Sequence, residues 1–257
     1  MTIEERINRL NERHKKMLKS VVEFPSEDTL PSYVREQLAN LNRYGKKSKI
    51  LVLYYGGTLG MEYRNLEGIK VLVPSDDINR LLQPLKDRGL EERMQVVWFP
   101  VLDKAIDSTN GRWPHWVSIA NGIELLYDHF DGFVIAGGTD TMSYLLAAMH
   151  FILPNIGKPI IGAASQQPII DWGEDAVRNL SFALQSATED LSGAHLAFYD
   201  TLRHGLHTFK VRDIGYNAFD SPSSYRIGEF VAGGVNLFGN HPRRFHAVDT
   251  SNLRVNK

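Results

Sequence analysis

Four short apolar runs, each followed by a stretch with helical spacing, and a fifth run closing the series constrain this chain more than any other feature. The runs fall at 50–55, 94–99, 132–136, 159–163 and 194–199, with helices expected near 75–88, 114–127, 141–153 and 175–188. Runs this short, apolar almost throughout, read as strands covered on both faces. Strand–helix alternation then implies βαβ units, a parallel sheet and right-handed crossovers, hence an α/β fold of three layers. In such sheets ligands bind beyond the carboxyl ends of the strands.

The flanks follow other patterns. Residues 2–24 are expected to form an amphipathic helix, with Thr2 and Glu5 at capping-box spacing, a stripe of Ile3, Ile7, Leu10, Met17, Leu18 and Val21, and Pro25 as its stop. A second helix is expected from near Pro31 to Gly45, burying Leu38, Leu41 and Tyr44. Beyond residue 215 only turn signals stand out, at Ser221-Pro222-Ser223-Ser224 and Gly233-Gly234. The expected organisation is a helical N-terminal extension over 1–48, an α/β domain over 49–235 and a tail over 236–257.

Composition narrows the functional classes. A net charge of −1 gives no electrostatic case for nucleic acid or an anionic membrane. The absence of cysteine removes thiol catalysis and thiolate metal sites. No apolar stretch approaches the roughly 20 residues that span a bilayer, and the N-terminus lacks the apolar core of a signal peptide, so a cytoplasmic protein is expected.

Two strand ends carry the candidate chemistry. Gly56-Gly57-Thr58 follows the first run, and Gly137-Gly138-Thr139-Asp140-Thr141 follows the third. Neither has the glycine order of a dinucleotide or P-loop site, so the glycines are read as tight turns whose N–H groups face a small anionic ligand. A threonine hydroxyl becomes a nucleophile only when a neighbouring group takes its proton, and a lysine held by an aspartate can serve. Asp140 can hold such a lysine, and Lys210 is a candidate alongside Lys70 and Lys104. Taken singly, Thr58, Thr139 and Asp140 could equally be helix caps, Asp107-Ser108 a turn or cap, and Lys210 a surface lysine. His204 and His207 read as loop or pocket-lining residues, and Trp113 and Trp116 as packing residues.

In register, these motifs resemble the bacterial-type L-asparaginase family, with most likeness to its cytoplasmic type I branch. Gly56-Gly57-Thr58-Leu59-Gly60-Met61 resembles the family's first signature, and Asp131 to Met142 its second. Asp107-Ser108, Ser165-Gln166-Gln167-Pro168, Asp175 with Asn179, Gly205 with Lys210, and Phe219 with Ser221-Pro222 recur in the family's order. The resemblance implies an amidohydrolase acting on a primary amide, asparagine foremost, as a homo-oligomer without metal or organic cofactor; the alternatives are a non-catalytic or partner-dependent asparaginase-like amide-binding domain, or an amidase for a larger amide substrate. By it, Thr58 is the nucleophile, Thr139, Asp140 and Lys210 handle protons, and Asp107 and Ser108 bind the substrate's ammonium and carboxylate. Gly57, Gly138 and Ala163 line the site, with an oxyanion held by backbone N–H groups near Thr139 and Ala163.

Three positions depart from the family. Leu72 stands where the family has a tyrosine that orients the nucleophile, and Tyr63 from the same loop is the expected substitute. Ala163-Ala164-Ser165 stands where the family has Thr/Val-Gly-Ser. The family's smaller C-terminal α/β domain has no counterpart before Lys257.

Overall fold

The computed structural model describes residues 28, 30–41, 47–77, 83–86, 89–102, 104–170 and 175–245, and the helix expected over 2–24 lies outside them. Helix α1 (Ser32–Asn40) follows Pro31, which takes the N-cap position. Leu30, Val34 and Leu41 join the core beside it, and α1 packs on the edge strand β4 (Met94–Pro100).

All five expected strands form. They are β1 (Ser48–Tyr54), β4, β5 (Gly132–Ala136), β6 (Pro159–Ala163) and β7 (Gly193–Phe198). They pair in parallel in the order β4-β1-β5-β6-β7. Helix α2 (Trp113–Leu126) joins β4 to β5, α3 (Thr139–Ile152) joins β5 to β6, and α4 (Asp175–Ser186) joins β6 to β7. Of the helix expected near 75–88, the described helical residues are 83–86.

Strand side chains alternate between faces, and the two cores follow from that period of two. Leu51 and Leu53 of β1 meet Ile119 and Ile123 of α2 and Leu145 and Leu146 of α3 on one face. Ile50 and Val52 meet Leu180 and Ala183 of α4 with Leu85 on the other. The result is a mostly parallel sheet between two helical layers.

The sheet does not end at β7. Strands β8 (Thr201–His204), β11 (Arg226–Val231) and β12 (Gly234–Leu237) extend it antiparallel, as β7-β8-β11-β12. A separate hairpin, β2 (Met61–Leu66) and β3 (Ile69–Pro74), occupies a span expected to be loop. A second small hairpin pairs β9 (Phe209–Lys210) with β10 (Phe219–Asp220). Three of the turns that join the additional strands place a non-glycine residue at positive φ, Glu67 at 52°, Tyr199 at 60° and Ala232 at 52°, and in two of them a glycine at positive φ follows, Gly68 at 87° and Gly233 at 79°.

Strand β12 runs past residue 235 to Leu237, and the chain beyond it is tied to the amino edge of the sheet. Ser192 N donates to the Pro242 carbonyl at 3.0 Å, Phe245 N to that of Gly157 at 3.2 Å, and the Arg244 guanidinium to those of Asp131 and Glu189 at 2.5 and 2.9 Å.

Candidate active site

The parallel strands stand in the spatial order second, first, third, fourth, fifth. The chain leaves β1 toward β4 on one side and returns to β5 on the other, so the topological switch lies between β1 and β5, where α/β sheets open a crevice. Both Gly-Gly-Thr segments emerge there. Tyr54 pairs with Ala136 at the last register position, and Tyr55 N donates to the Ala136 carbonyl at 3.2 Å.

Glycine lets the two segments touch. Gly57 has φ 79° and ψ 175°, a region essentially closed to other residues. A Cβ on Gly57 would collide with the Gly138 backbone and lie 2.5 Å from the Gly137 carbonyl carbon. A Cβ on Gly138 would strike Ser108. Gly57 N donates to the Ile106 carbonyl at 2.8 Å, which brings the Asp107-Ser108 loop to the same point. Residues 56–58, 107–108 and 137–139 thus converge, backbone against backbone between Gly57 and Gly138 and with the Ser108 side chain seated on Gly138.

Thr139 is the first residue of α3 and is buried, with Gly138 at the N-cap. Lys210, from β9, crosses to it. Its Nζ donates to Thr139 Oγ1 at 3.0 Å and to Asp140 Oδ1 at 2.6 Å, and the lysine side chain is 14% exposed. Asp213 stands at 4.0 Å from the same ammonium, fully exposed. The expected Thr–Lys–Asp group is therefore assembled by contact, whereas Lys70 lies over the Tyr63 ring on the β2–β3 hairpin.

The remaining expected residues are placed as follows. Thr58 follows Gly57 and opens a short 3-10 turn, half-buried. Ser108 is buried against Gly138. Asp107 caps the 3-10 turn Ser108–Asn110, accepting from Thr109 N and Thr109 Oγ1 at 2.9 Å each through Oδ1 alone. Ala163 ends β6, and its carbonyl accepts from Gly137 N at 3.0 Å. Tyr63 lies on the exposed β2–β3 hairpin, directly opposite Leu72 in the register. Of the two tryptophans, Trp116 packs on the core as expected, but Trp113 is 41% exposed because it opens α2 at the surface. His204 stacks on His150 and meets His195 edge-on, and His207 stacks on Tyr225 at 3.5 Å.

Tyr55, Thr141 and Asp175 complete the surroundings of the site. Tyr55 is fully buried beneath Gly137, within 3.4 Å of Thr141 Oγ1, and burial pushes its phenol up to about 12. Thr141 donates to the Ser108 carbonyl at 3.1 Å, locking the 107–108 loop to α3. Asp175, buried at the start of α4, accepts from Gln166 N and Gln167 N at 2.7 and 3.3 Å; burial raises its carboxyl while those N–H groups oppose the rise. Among the described residues no cluster of His, Asp and Glu is placed to hold a metal ion, and no helix is long and apolar enough to cross a membrane.

Residues 49–243 match the sequence model of the family described as Asparaginase, N-terminal. The chain is 36% identical over 182 residues to L-asparaginase 1 of Escherichia coli strain K12, covering 69% of the chain and 52% of that protein. It is 33% identical to the L-asparaginase of Thermococcus kodakarensis over 195 residues, 76% of the chain and 57% of that protein. The solved structure of the Thermococcus kodakarensis thermostable L-asparaginase aligns with a TM-score of 0.67, covering 77% of this chain and 58% of that one. L-asparaginase I from Vibrio cholerae aligns with a TM-score of 0.69 at 29% identity, covering 79% of this chain and 60% of that one. The chain thus spans about half the length of the curated relatives it matches.

Proposed function

The chain belongs to the asparaginase family, and we propose that it is an amidohydrolase that releases ammonia from a primary amide, with L-asparagine as the leading substrate. The observation that carries this is the Lys210 ammonium, fixed at 3.0 Å from Thr139 and 2.6 Å from Asp140 beside the loop that bears Thr58.

In this reading Thr58 Oγ attacks the side-chain amide carbon. Its proton passes through the Thr139–Lys210–Asp140 group to the departing nitrogen, which leaves as ammonia. Water then adds to the carbonyl carbon of the resulting ester, the bond from that carbon to the Thr58 oxygen breaks, the carboxylic acid product leaves, and a proton from the water returns to Thr58. The N-terminus of α3 supports an oxyanion at this point, because the first N–H groups of a helix have no partner within it. Asp107 Oδ2, outside the cap bonds made by Oδ1, is available to the substrate ammonium, and Ser108 and the glycine backbones to its carboxylate. Tyr63 stands in for the family's orienting tyrosine, since the register puts it face to face with Leu72. A cytoplasmic homo-oligomer belongs to the same reading, and exposed Tyr144, Phe209 and Ile214 offer apolar surface to a second copy.

The test is ammonia release from asparagine, glutamine and other primary amides by the wild type, Thr58→Ala and Lys210→Met. Each variant should lose turnover by orders of magnitude with an unchanged circular dichroism spectrum. Wild-type rates from folded Thr58→Ala would refute the assignment.

A further inference from the structure

The strand that carries Lys210 is poorly held by its own sheet. β9 and β10 make only the pairs Lys210↔Phe219 and Phe209↔Asp220. At the base, Ala218 and Phe219 are buried, with Phe219 edge-on to Phe198 at 4.8 Å. Residues 211–217 at the tip are all exposed, Ile214 to 90%. A hairpin this short has little stability of its own.

The loop leaving β6, by contrast, is bolted down. Asp175 holds the Gln166 and Gln167 amides, Asn179 Nδ2 donates to the Ala164 carbonyl at 2.9 Å, and Ser165 Oγ donates to the Gln167 carbonyl at 2.6 Å. From this fixed base two side chains reach the hairpin tip. Gln166 Nε2 donates to the Gly215 carbonyl at 3.0 Å, and Gln167 Oε1 accepts from the Tyr216 hydroxyl at 3.1 Å.

We propose that Gln166 and Gln167 are positioning residues, a two-point latch that fixes the Lys210-bearing hairpin against the end of β6 and so sets the reach of Lys210 to Thr139. This rests on the reading of Lys210 as the proton-handling lysine. Hydrogen bonds on an exposed tip are individually modest, but the reaction they serve is sensitive to displacements near 1 Å.

The two glutamines play opposite hydrogen-bond roles, which gives a test that charge or bulk cannot mimic. Gln166→Glu replaces a donor with an acceptor facing the Gly215 carbonyl, and should break the latch. Gln167→Glu keeps an acceptor for Tyr216, and should preserve it. Both add the same charge at adjacent positions. Asparagine turnover by Gln166→Glu should show kcat reduced about tenfold with KM little changed, and Gln167→Glu should stay near wild type. Hydrogen exchange supplies a readout independent of activity. The Val211 and Arg212 amides, bonded to the Ala218 carbonyl at 2.8 and 3.2 Å, should exchange faster in Gln166→Glu and not in Gln167→Glu. Equal effects of the two substitutions, or no effect of Gln166→Glu on either readout, would overturn the latch. If Lys210→Met keeps full turnover, the catalytic reading of Lys210 falls, and the exchange comparison still decides whether the latch exists.

Discussion

Adding one methyl group at Gly57 tests how the site is built. The residue sits at φ 79°, ψ 175°, and occupying that region with a side chain costs about 1–3 kcal/mol. Space adds a second cost. The new Cβ would collide with the Gly138 backbone and lie 2.5 Å from the Gly137 carbonyl carbon, whereas ordinary contact begins at 3.4 Å. Both neighbours are backbone at the mouth of the crevice, so the two loops must part by about 1 Å, enough to cost roughly 100-fold in rate when reacting groups are aligned across the gap. Gly68 provides the control. It has φ 87° on the β2–β3 turn, and a Cβ there meets nothing within 4 Å. Gly68→Ala should therefore lose about 1–2 kcal/mol from backbone strain and keep its turnover. Gly57→Ala should lose more stability and about 100-fold in kcat. Urea unfolding and ammonia release measure the two quantities on the same samples. Equal stability losses for both variants, or wild-type kcat in Gly57→Ala, would refute the argument that contact between the glycine loops aligns Thr58 with Thr139.

Three further outcomes are expected. Asn179 is buried and joins the Ala164 carbonyl to Tyr199 N, at 2.9 Å each, so Asn179→Ala strands both groups and should cost about 2–4 kcal/mol in urea unfolding; an unchanged midpoint would show that neither bond holds the turn. Burial pushes His195 down to about 3 and His204 down to about 4, so both stay neutral in the fold while the unfolded chain takes up protons below about pH 6.5. Stability should fall with acidification from that point, His195 alone contributing about 2–3 kcal/mol by pH 4.5, and a flat unfolding midpoint between pH 6.5 and 4.5 would contradict this. Tyr63→Phe should lower kcat with KM little changed, and adding Leu72→Tyr should restore it because the two positions face each other across the hairpin; a double variant no better than the single one would count against Tyr63 as the orienting phenol.

The parallel part of the sheet was legible because its strands are largely buried on both faces and so spell runs that are apolar almost throughout, broken by Gln95 in β4 and His195 in β7. β8, β11 and β12 lie toward the antiparallel edge, where Thr201, Glu229 and Asn236 break the run. The β7–β8 turn also puts Tyr199, rather than glycine or asparagine, at its left-handed position. Pairwise proximity in the site followed a similar divide. Thr139 and Asp140 were readable from a strand end, but Lys210 needed register with distant motifs, because its 71-residue separation from Thr139 leaves no local trace. Gln166, Gln167 and Tyr216 act through side-chain bonds across 49 residues, which no periodicity encodes.

The choice between cap and catalyst for the threonines turns on one position. A threonine at the N-cap spends its hydroxyl on the orphan N–H groups of the first turn. In both triplets a glycine takes that place instead. Gly57 precedes the turn Thr58–Gly60, and Gly138 precedes α3, and neither helix start has a side-chain cap bond. Each threonine then stands one residue inside the helix with its hydroxyl released from capping, and that of Thr139 accepts from Lys210. Asp107 differs: it is the N-cap of its turn and spends Oδ1 on Thr109, which leaves its second oxygen outside those bonds. The order Gly-Thr, rather than the presence of either residue, is what makes a strand end chemically available here. Moving the hydroxyl back one position would place it where the first helical N–H groups consume it.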